Sequence, residues 1–249
     1  TYILLNGKSN SCPQFHTTML FFSNFALSVT GLPNFAFNLF LSVIKTKVVN
    51  LQYEIMSIKD KYTVKSIDSF QCREWLMYKH YAKRIPSISY AFGLFDGLIL
   101  IGVMTIGKPA SPSLCDGVCG KEYTEYVYEL NRLCVQDSLE KNTLSYFVSS
   151  SLKLINEDLI IISYADKLMG HHGYIYQATN WIYTGDTKER TDIGQEDGSH
   201  SRHYDKLTDK KLNRKFRSSK HRYIYFIGKR AKEFKSKLNY KPQPYPKGD

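Results

Sequence analysis

The sequence predicts an α/β protein of the α+β kind, with a mixed central sheet flanked by helices. Three observations carry this. Alternating or continuous apolar runs recur at Tyr62–Ile67, Ser89–Phe95, Leu98–Ile106, Tyr126–Val135, Leu159–Tyr164 and His221–Ile227. Helical patterns separate several of them. Asp96-Gly97 between two apolar runs is a strong hairpin signal. With 249 residues, 43% of them hydrophobic and 23% charged, the chain has ample material for a core.

Taken in order, residues 1–55 stand apart. They are rich in Phe, Leu, Asn and Ser, and Thr17–Ile44 holds no Asp, Glu, Lys or Arg. The length would suit a membrane span, but Asn24, Gly31, Pro33, Asn34 and Asn38 interrupt it. Met56 reads as a natural start. The preferred expectation is a non-native upstream extension over 1–55, poorly structured or hydrophobic; a membrane anchor and a genuine helical extension are the alternatives. The working domain is then 56–249, with a basic C-terminal segment at 200–249 and no membrane partner.

Within that domain, Asp68-Ser69 caps a helix expected to run to about Lys83, with Phe70, Trp75, Leu76 and Tyr78 on its core face. Gly107–Tyr123, with two prolines and three glycines, reads as a loop able to act as a lid. Alternation along Tyr126–Val135 puts Glu129 on one face and Arg132 on the other. Two charged residues in an apolar strand mark either a strand-end pair or a site at an opening in the sheet. Thr143–Asn156 is an amphipathic helix with Phe147, Leu152 and Ile155 inward. Ile160–Tyr183, IIISYADKLMGHHGYIYQATNWIY, delivers a buried strand into a polar loop and then a helix, a layout that builds sites in many α/β enzymes. Lys188–Ser199 reads as a loop, Tyr204–Phe216 as weakly helical and Lys229–Leu238 as a basic helix. Pro242, Pro244 and Pro246 close an extended tail.

The net charge of +11 is unevenly placed. Residues His200–Asp249 hold 16 Lys and Arg against four Asp and Glu, a net +12, and the other 199 residues sum to −1. A basic segment interleaved with aromatics suggests a polyanion partner, nucleic acid before membrane. Five cysteines, an odd number, argue against a disulfide scaffold. Cys115 and Cys119 read as free thiols. The sequence has no phosphate-binding lysine loop, no dinucleotide glycine fingerprint and no zinc-type His/Cys pattern.

From Met56 the order of elements resembles the GNAT acyltransferase superfamily. Tyr176-Gln-Ala-Thr-Asn180-Trp181 stands where that superfamily has a tyrosine followed by a Gly-Phe pair, with Asn180 in place of the glycine. Gln136–Thr143 stands where its pyrophosphate loop lies, and has no glycine. A closer resemblance covers Met56–Asp249. The segments YELNRL, SYFVSSSLKLI, SYAD, GHHGYIYQATNWIYTG, SRHY, SSKHRYIYF and PYPKG are similar to those of the Mom proteins of bacteriophages. That family implies a GNAT-like fold. Its activity is conversion of adenine in double-stranded DNA to an N6-carbamoylmethyl (acetamido) form, which hides phage DNA from restriction in the cytoplasm of the infected bacterium.

The resemblance carries over to Arg132, Ser145, Asp166 and Tyr176 as catalytic residues, and to Arg132, Ser145 and Asn180 as cofactor-binding ones. Asp166 is expected as general base, Tyr176 as acid or orienter, and Arg132 as a stabiliser of negative charge. An acyl-CoA such as acetyl-CoA is the expected donor. Iron is a further expectation, with His171, His80 and Tyr81 as ligands. Extrusion of the base calls for stacking side chains, for which Tyr90, Phe92, Trp181 and Tyr183 are the expectation. Arg202, His203, Lys215, Arg217, Lys220, His221 and Arg222 are expected on DNA phosphates. A homodimer is one open oligomeric state. Two rivals remain: an N-acetyltransferase acting on small amines or proteins, and a DNA-binding accessory protein without activity. If the basic segment meets phosphates, affinity for duplex DNA should fall steeply from low to moderate salt. Binding that stayed constant would remove the phosphate assignment.

Overall fold

The alternating segments become strands in the computed structural model, which describes residues 42–43, 45–47, 57–193 and 214–247. The chain divides into two units, Thr1–Met56 and Ser57–Asp249. In the first, residues 42–43 and 45–47 are helical, and the remainder of the expected extension lies outside the described residues. Among the described residues, no helix is long and apolar enough to cross a membrane.

In the second unit, strands β1 (Tyr62–Ser66), β2 (Tyr90–Asp96), β3 (Ile99–Gly107), β4 (Val127–Val135), β5 (Leu159–Asp166), β6 (Ile182–Asp186) and β9 (Lys220–Ile227) form one sheet in the order β1-β2-β3-β4-β5-β9-β6. Strands β7 (Arg190–Ile193) and β8 (Arg214–Arg217) form a separate two-stranded ribbon. In the seven-stranded sheet only β4 and β5 pair in parallel. Gly97, at φ 58°, makes the β2–β3 turn that Asp96-Gly97 foretold. The helices are α1 (Ile58–Lys61), α2 (Pro112–Cys119), α3 (Thr143–Lys153), α4 (Tyr174–Ala178) and α5 (Ala231–Ser236).

One sheet face packs Phe92, Met104, Leu130, Ile161 and Tyr223 against Phe147, Val148 and Leu152 of α3 and against Tyr176 and Trp181. The other carries two patches. Val127, Ile160, Ile162 and Ile224 meet α2 and Phe234 of α5, while Ala91 and Val103 meet Cys72, Trp75 and Leu76. Between these patches Glu129, Arg132 and Tyr164 remain half-buried.

Three expectations change. The helix from Asp68 is broken into a 3-10 turn, Ser69–Cys72, and a π turn, Trp75–Lys79. Asp68 and Gln71 form its capping box, and the break turns Phe70 and Tyr78 outward, 75% and 81% exposed. The expected 107–123 lid contains packed helix α2. Ser111 accepts from Leu114 N as N-cap and Pro112 begins the helix, so that Cys115, Val118 and Cys119 are buried. Finally, segments read as loop and weak helix supply β7 and β8. Phe147 has no exposed surface and anchors α3, so Phe147→Ala should lower unfolding free energy by about 3–5 kcal/mol, measured by urea titration.

Candidate functional site

The site is built by an irregularity in β4. Thr105 pairs with Arg132 and Ile106 with Leu130, so Asn131 is an extra residue, a bulge. It is held on both sides. Thr105 Oγ1 donates to Asn131 Oδ1 at 2.6 Å, and Asn131 Nδ2 donates to Ser87 O at 2.8 Å. The bulge breaks the alternation on which the sequence reading relied. Glu129 and Arg132 therefore lie on the same face, the half-covered one, and not on opposite faces.

The neighbouring strand leaves β4 at the same point. Only Val127–Glu129 pair with Ile160–Ile162, and beyond them β4 and β5 splay. Ser163 Oγ spans the start of the gap, 2.9 Å from Leu130 O and 2.8 Å from Tyr176 Oη. A carbonyl can only accept, so the single Ser163 proton goes to Leu130 O and Tyr176 donates to Ser163.

Charge and burial oppose one another here. Burial pushes the Glu129 carboxyl above its ordinary range, against the pull of Arg132, Lys220 and Arg84. Burial likewise lowers the Arg132 guanidinium, with Arg84 adding to the effect. Arg132 Nη1 donates to Asn131 O at 2.6 Å, while its Nε is buried without a partner. The Tyr176 phenol is pushed up to about 12 by burial, so it stays protonated at neutral pH. His80 is 7% exposed, and burial, then the charges of Arg132 and His171, push its imidazole down to about 4.

The structure brings His80, Tyr81 and His171 together as expected neighbours. The His80 and Tyr81 rings stack at 4.4 Å, and Tyr81 meets His171 at 6.4 Å between centroids. The set does not fit iron. Ala82 N donates to His80 Nδ1 at 3.0 Å, which places the neutral ring's proton on Nε2 and leaves that nitrogen no lone pair for a metal. Among the described residues no group of three His, Cys, Asp or Glu is placed to hold an ion.

The other expected residues have structural occupations. Asp166 ends β5 and accepts from Leu168 N and Ser218 Oγ while pairing with Lys220 Nζ at 2.9 Å. Burial opposes its ionisation, yet the Ser218 and Lys220 contacts outweigh burial and hold its carboxyl below the usual range. Ser145 Oγ donates to Asn142 O at 2.9 Å, and Asn180 is an exposed left-handed residue (φ 62°) after α4. That conformation favours glycine and admits asparagine, which explains the replacement in the superfamily's Gly-Phe position. His221 is buried against Asp186 at 2.7 Å, and so is removed from any phosphate. Arg222 donates to Thr184 Oγ1 and O, and stacks 3.5 Å from the Tyr240 ring centre. Arg217 is exposed on β8; Arg202, His203 and the Lys215 side chain lie outside the described residues. Phe92, Trp181 and Tyr183 are core residues, which removes them as stacking platforms. Tyr90 lines a groove of about 740 Å³ with Tyr128, Glu157 and Asp158, at the other end of β4.

A mixed sheet whose central parallel pair opens onto a carboxylate and a guanidinium makes this an α+β protein with its candidate site at a strand opening. The model of the Mom protein family matches residues 61–247, and the chain belongs to that family. It is 29% identical over 232 residues to the methylcarbamoylase Mom of Escherichia phage Mu, covering 83% of this chain and 93% of the relative. Solved structures overlay more loosely. An N-acetyltransferase from Staphylococcus aureus Mu50 has a TM-score of 0.40 at 11% identity, over 66% of this chain and 98% of the other. A Bacillus subtilis acetyltransferase in complex with CoA has a TM-score of 0.34 at 13% identity, over 67% and 98%. Overlays this shallow carry no argument about chemistry.

His80 couples the site to pH. The unfolded chain takes up a proton near 6.5 and the folded chain near 4, so stability present above pH 6.5 is lost as pH falls through that window. His80→Asn keeps an acceptor for Ala82 and cannot titrate. It should flatten the urea-unfolding slope over that window, where the wild type loses roughly 2–3 kcal/mol.

Proposed function

We propose that this chain is a DNA-modifying transferase that places a carbamoylmethyl group on adenine N6 in duplex DNA. One observation carries the reading: Glu129 and Arg132 share the open face at the β4–β5 splay, in a member of the family to which the Mu methylcarbamoylase belongs. Adenine N6 is a weak nucleophile because its lone pair is delocalised into the ring. A base that removes an N6 proton as the new N6–carbon bond forms is therefore the central requirement. Glu129 meets it. Its carboxylate has no hydrogen bond or ion pair among the described contacts, and burial raises its basicity. Asp166 would be a poorer base, being held ionised by Lys220 and Ser218.

Arg132 lies on the same face of the sheet, and its Nε is buried with no hydrogen bond among the described residues. It stabilises the charge that gathers on the departing group as the old carbon bond breaks and its electron pair leaves with that group. Tyr176, protonated and donating to Ser163, fixes the base of the gap.

A phosphate-bearing donor such as an acyl-CoA fits the start of α3. Asn142 is left-handed and offers no side-chain cap there, Thr143 Oγ1 is buried without a partner, and the first-turn amides attract anions. Ser138 and Asn142 take left-handed turns in a loop that has no glycine. For a carbamoylmethyl product the donor, when bound, would supply a methylene carbon that carries the carboxamide and a leaving group, since the acyl carbon of an acyl-CoA would give an N6-acyl adenine. On phage DNA in the host cytoplasm the product would hide target sites from restriction.

Expression in bacteria followed by nucleoside mass spectrometry tests the reading. Wild type should yield an adenine heavier by the carbamoylmethyl group, and Glu129→Gln should reduce it by about 100-fold or more, as expected for loss of a general base. In extracts given plasmid DNA, the rate should rise with pH through a limb above the ordinary glutamate value of 4.5, because Glu129 must be deprotonated to act. Unmodified DNA from folded wild-type protein would refute the function, and full activity in Glu129→Gln would refute the base.

A further inference from the structure

Asp166 joins two pieces of chain that expose large apolar side chains. Its Oδ1 accepts from Leu168 N at 3.1 Å, capping the 3-10 turn Lys167–Met169. That turn leaves Leu168 72% and Met169 48% exposed. The same carboxylate accepts from Ser218 Oγ at 2.6 Å and pairs with Lys220 at 2.9 Å. These contacts fix the foot of the β7–β8 ribbon, on which Phe216 is 57% exposed. Both pieces stand at the C-terminal end of β5, the end toward which β4 and β5 open.

Scattered exposed apolar residues need no explanation. These three are held at one end of the sheet by one carboxylate, with basic residues beside them in the chain, Lys167 before Leu168 and Arg217 after Phe216. The ribbon's register sets Arg190 opposite Arg217, beside Phe216, and Lys220 acts electrostatically on Glu129. Exposed apolar side chains that alternate with basic residues are complementary to a polyanion with a stacked, apolar interior. A two-stranded ribbon is also of a size to enter the major groove.

We propose that Phe216 and Leu168–Met169 form a two-part wedge that enters duplex DNA beside the target adenine, unstacks it and keeps the gap open while the base swings toward Glu129. The proposal rests on the DNA-modifying reading above. It solves a problem of reach, since a paired adenine within the duplex cannot meet a carboxylate recessed in a sheet. Leu, Met and Phe are side chains that proteins insert between base steps for this purpose.

The probe is a short duplex with 2-aminopurine opposite thymine, whose fluorescence rises on unstacking. Wild type should raise it. Phe216→Ala combined with Leu168→Ala should lose most of the rise, and should modify host DNA about tenfold or more below wild type. The same variant should still give a rise when 2-aminopurine faces an abasic site, where no partner base holds it in. Phe216→Leu, which keeps an apolar wedge, should recover the rise on the paired duplex and confirms that the ribbon folds. An equal rise for wild type and the double variant, or modified host DNA without any rise from wild type, overturns the wedge alone. Wild type that neither binds the duplex nor modifies host DNA overturns the DNA reading and the wedge with it.

Discussion

Parallel pairing between β4 and β5 stops after Glu129 and Ile162. The rest of the site follows from that divergence. The Asn131 bulge turns β4 away, and its side chain is fixed to Thr105 on one side and to Ser87 on the other. A bulge secured by two side-chain hydrogen bonds cannot slide along the strand without leaving buried polar groups unpaired, so the register beyond it is fixed. On the β5 side, Ser163 uses its hydroxyl where a backbone N–H would otherwise serve Leu130 O. The opening is thus stabilised on both margins by side chains chosen for it, and the Tyr176 phenol secures the hinge point.

The divergence also sets the electrostatics. Glu129 sits among Arg132, Lys220 and Arg84, all of which favour its ionised form, yet burial prevails and its carboxyl is raised. A carboxylate among cations is ordinarily depressed, as Asp166 is by Lys220 and Ser218. The two differ in what touches them. Asp166 has hydrogen bonds on both oxygens, whereas among the described residues Glu129 has only charges at a distance, which burial can outweigh. A buried carboxylate with no hydrogen bond among the described residues holds a proton more readily than one that is hydrogen-bonded. Asp166 already has its donors and acts as a fastener.

These distinctions were partly legible in the sequence. Strand positions followed from alternation, and Asp96-Gly97 placed the hairpin. The family's motifs lead one to expect Arg132, Tyr176 and Asp166 as one site, whereas folding gives Tyr176 to Ser163 and Asp166 to Ser218 and Lys220. The face of Arg132 did not follow, because a bulge is decided by Thr105 and Ser87, 26 and 44 residues from Asn131. Glu129 stands out in the sequence as a charge in an apolar strand, but its burial beside Arg132, Lys220 and Arg84 is set only by folding. The Ser111-Pro112 signal for α2 was present and was outweighed by three glycines and two prolines. Lys220, His221 and Arg222 read as phosphate ligands because their charge is visible in the sequence. Their partners Asp166, Asp186, Thr184 and Tyr240 are brought to them only by folding.

That reassignment changes how the basic segment can work. Of its 16 Lys and Arg, Lys220 is neutralised by Asp166 and Arg230 by Glu233, while Arg222 is locked between Thr184 and Tyr240. Paired ions contribute little to a field beyond a Debye length, so on the proposed function these three would add little to the steering of a polyanion. Strand β9 therefore serves as a beam: its charged residues brace β5 and β6, and the aromatic stack of Tyr176, Trp181, Tyr183 and Tyr223 stands behind them. Gly173 is part of the same brace, since a Cβ there would collide with the Tyr223 ring. On the proposed function, rigid support at this end of the sheet would matter because chemistry on a base has to be done while the duplex pulls it back. A site whose carboxylate and guanidinium are held by braced strands would, on that reading, keep them within reach for the lifetime of an extruded base.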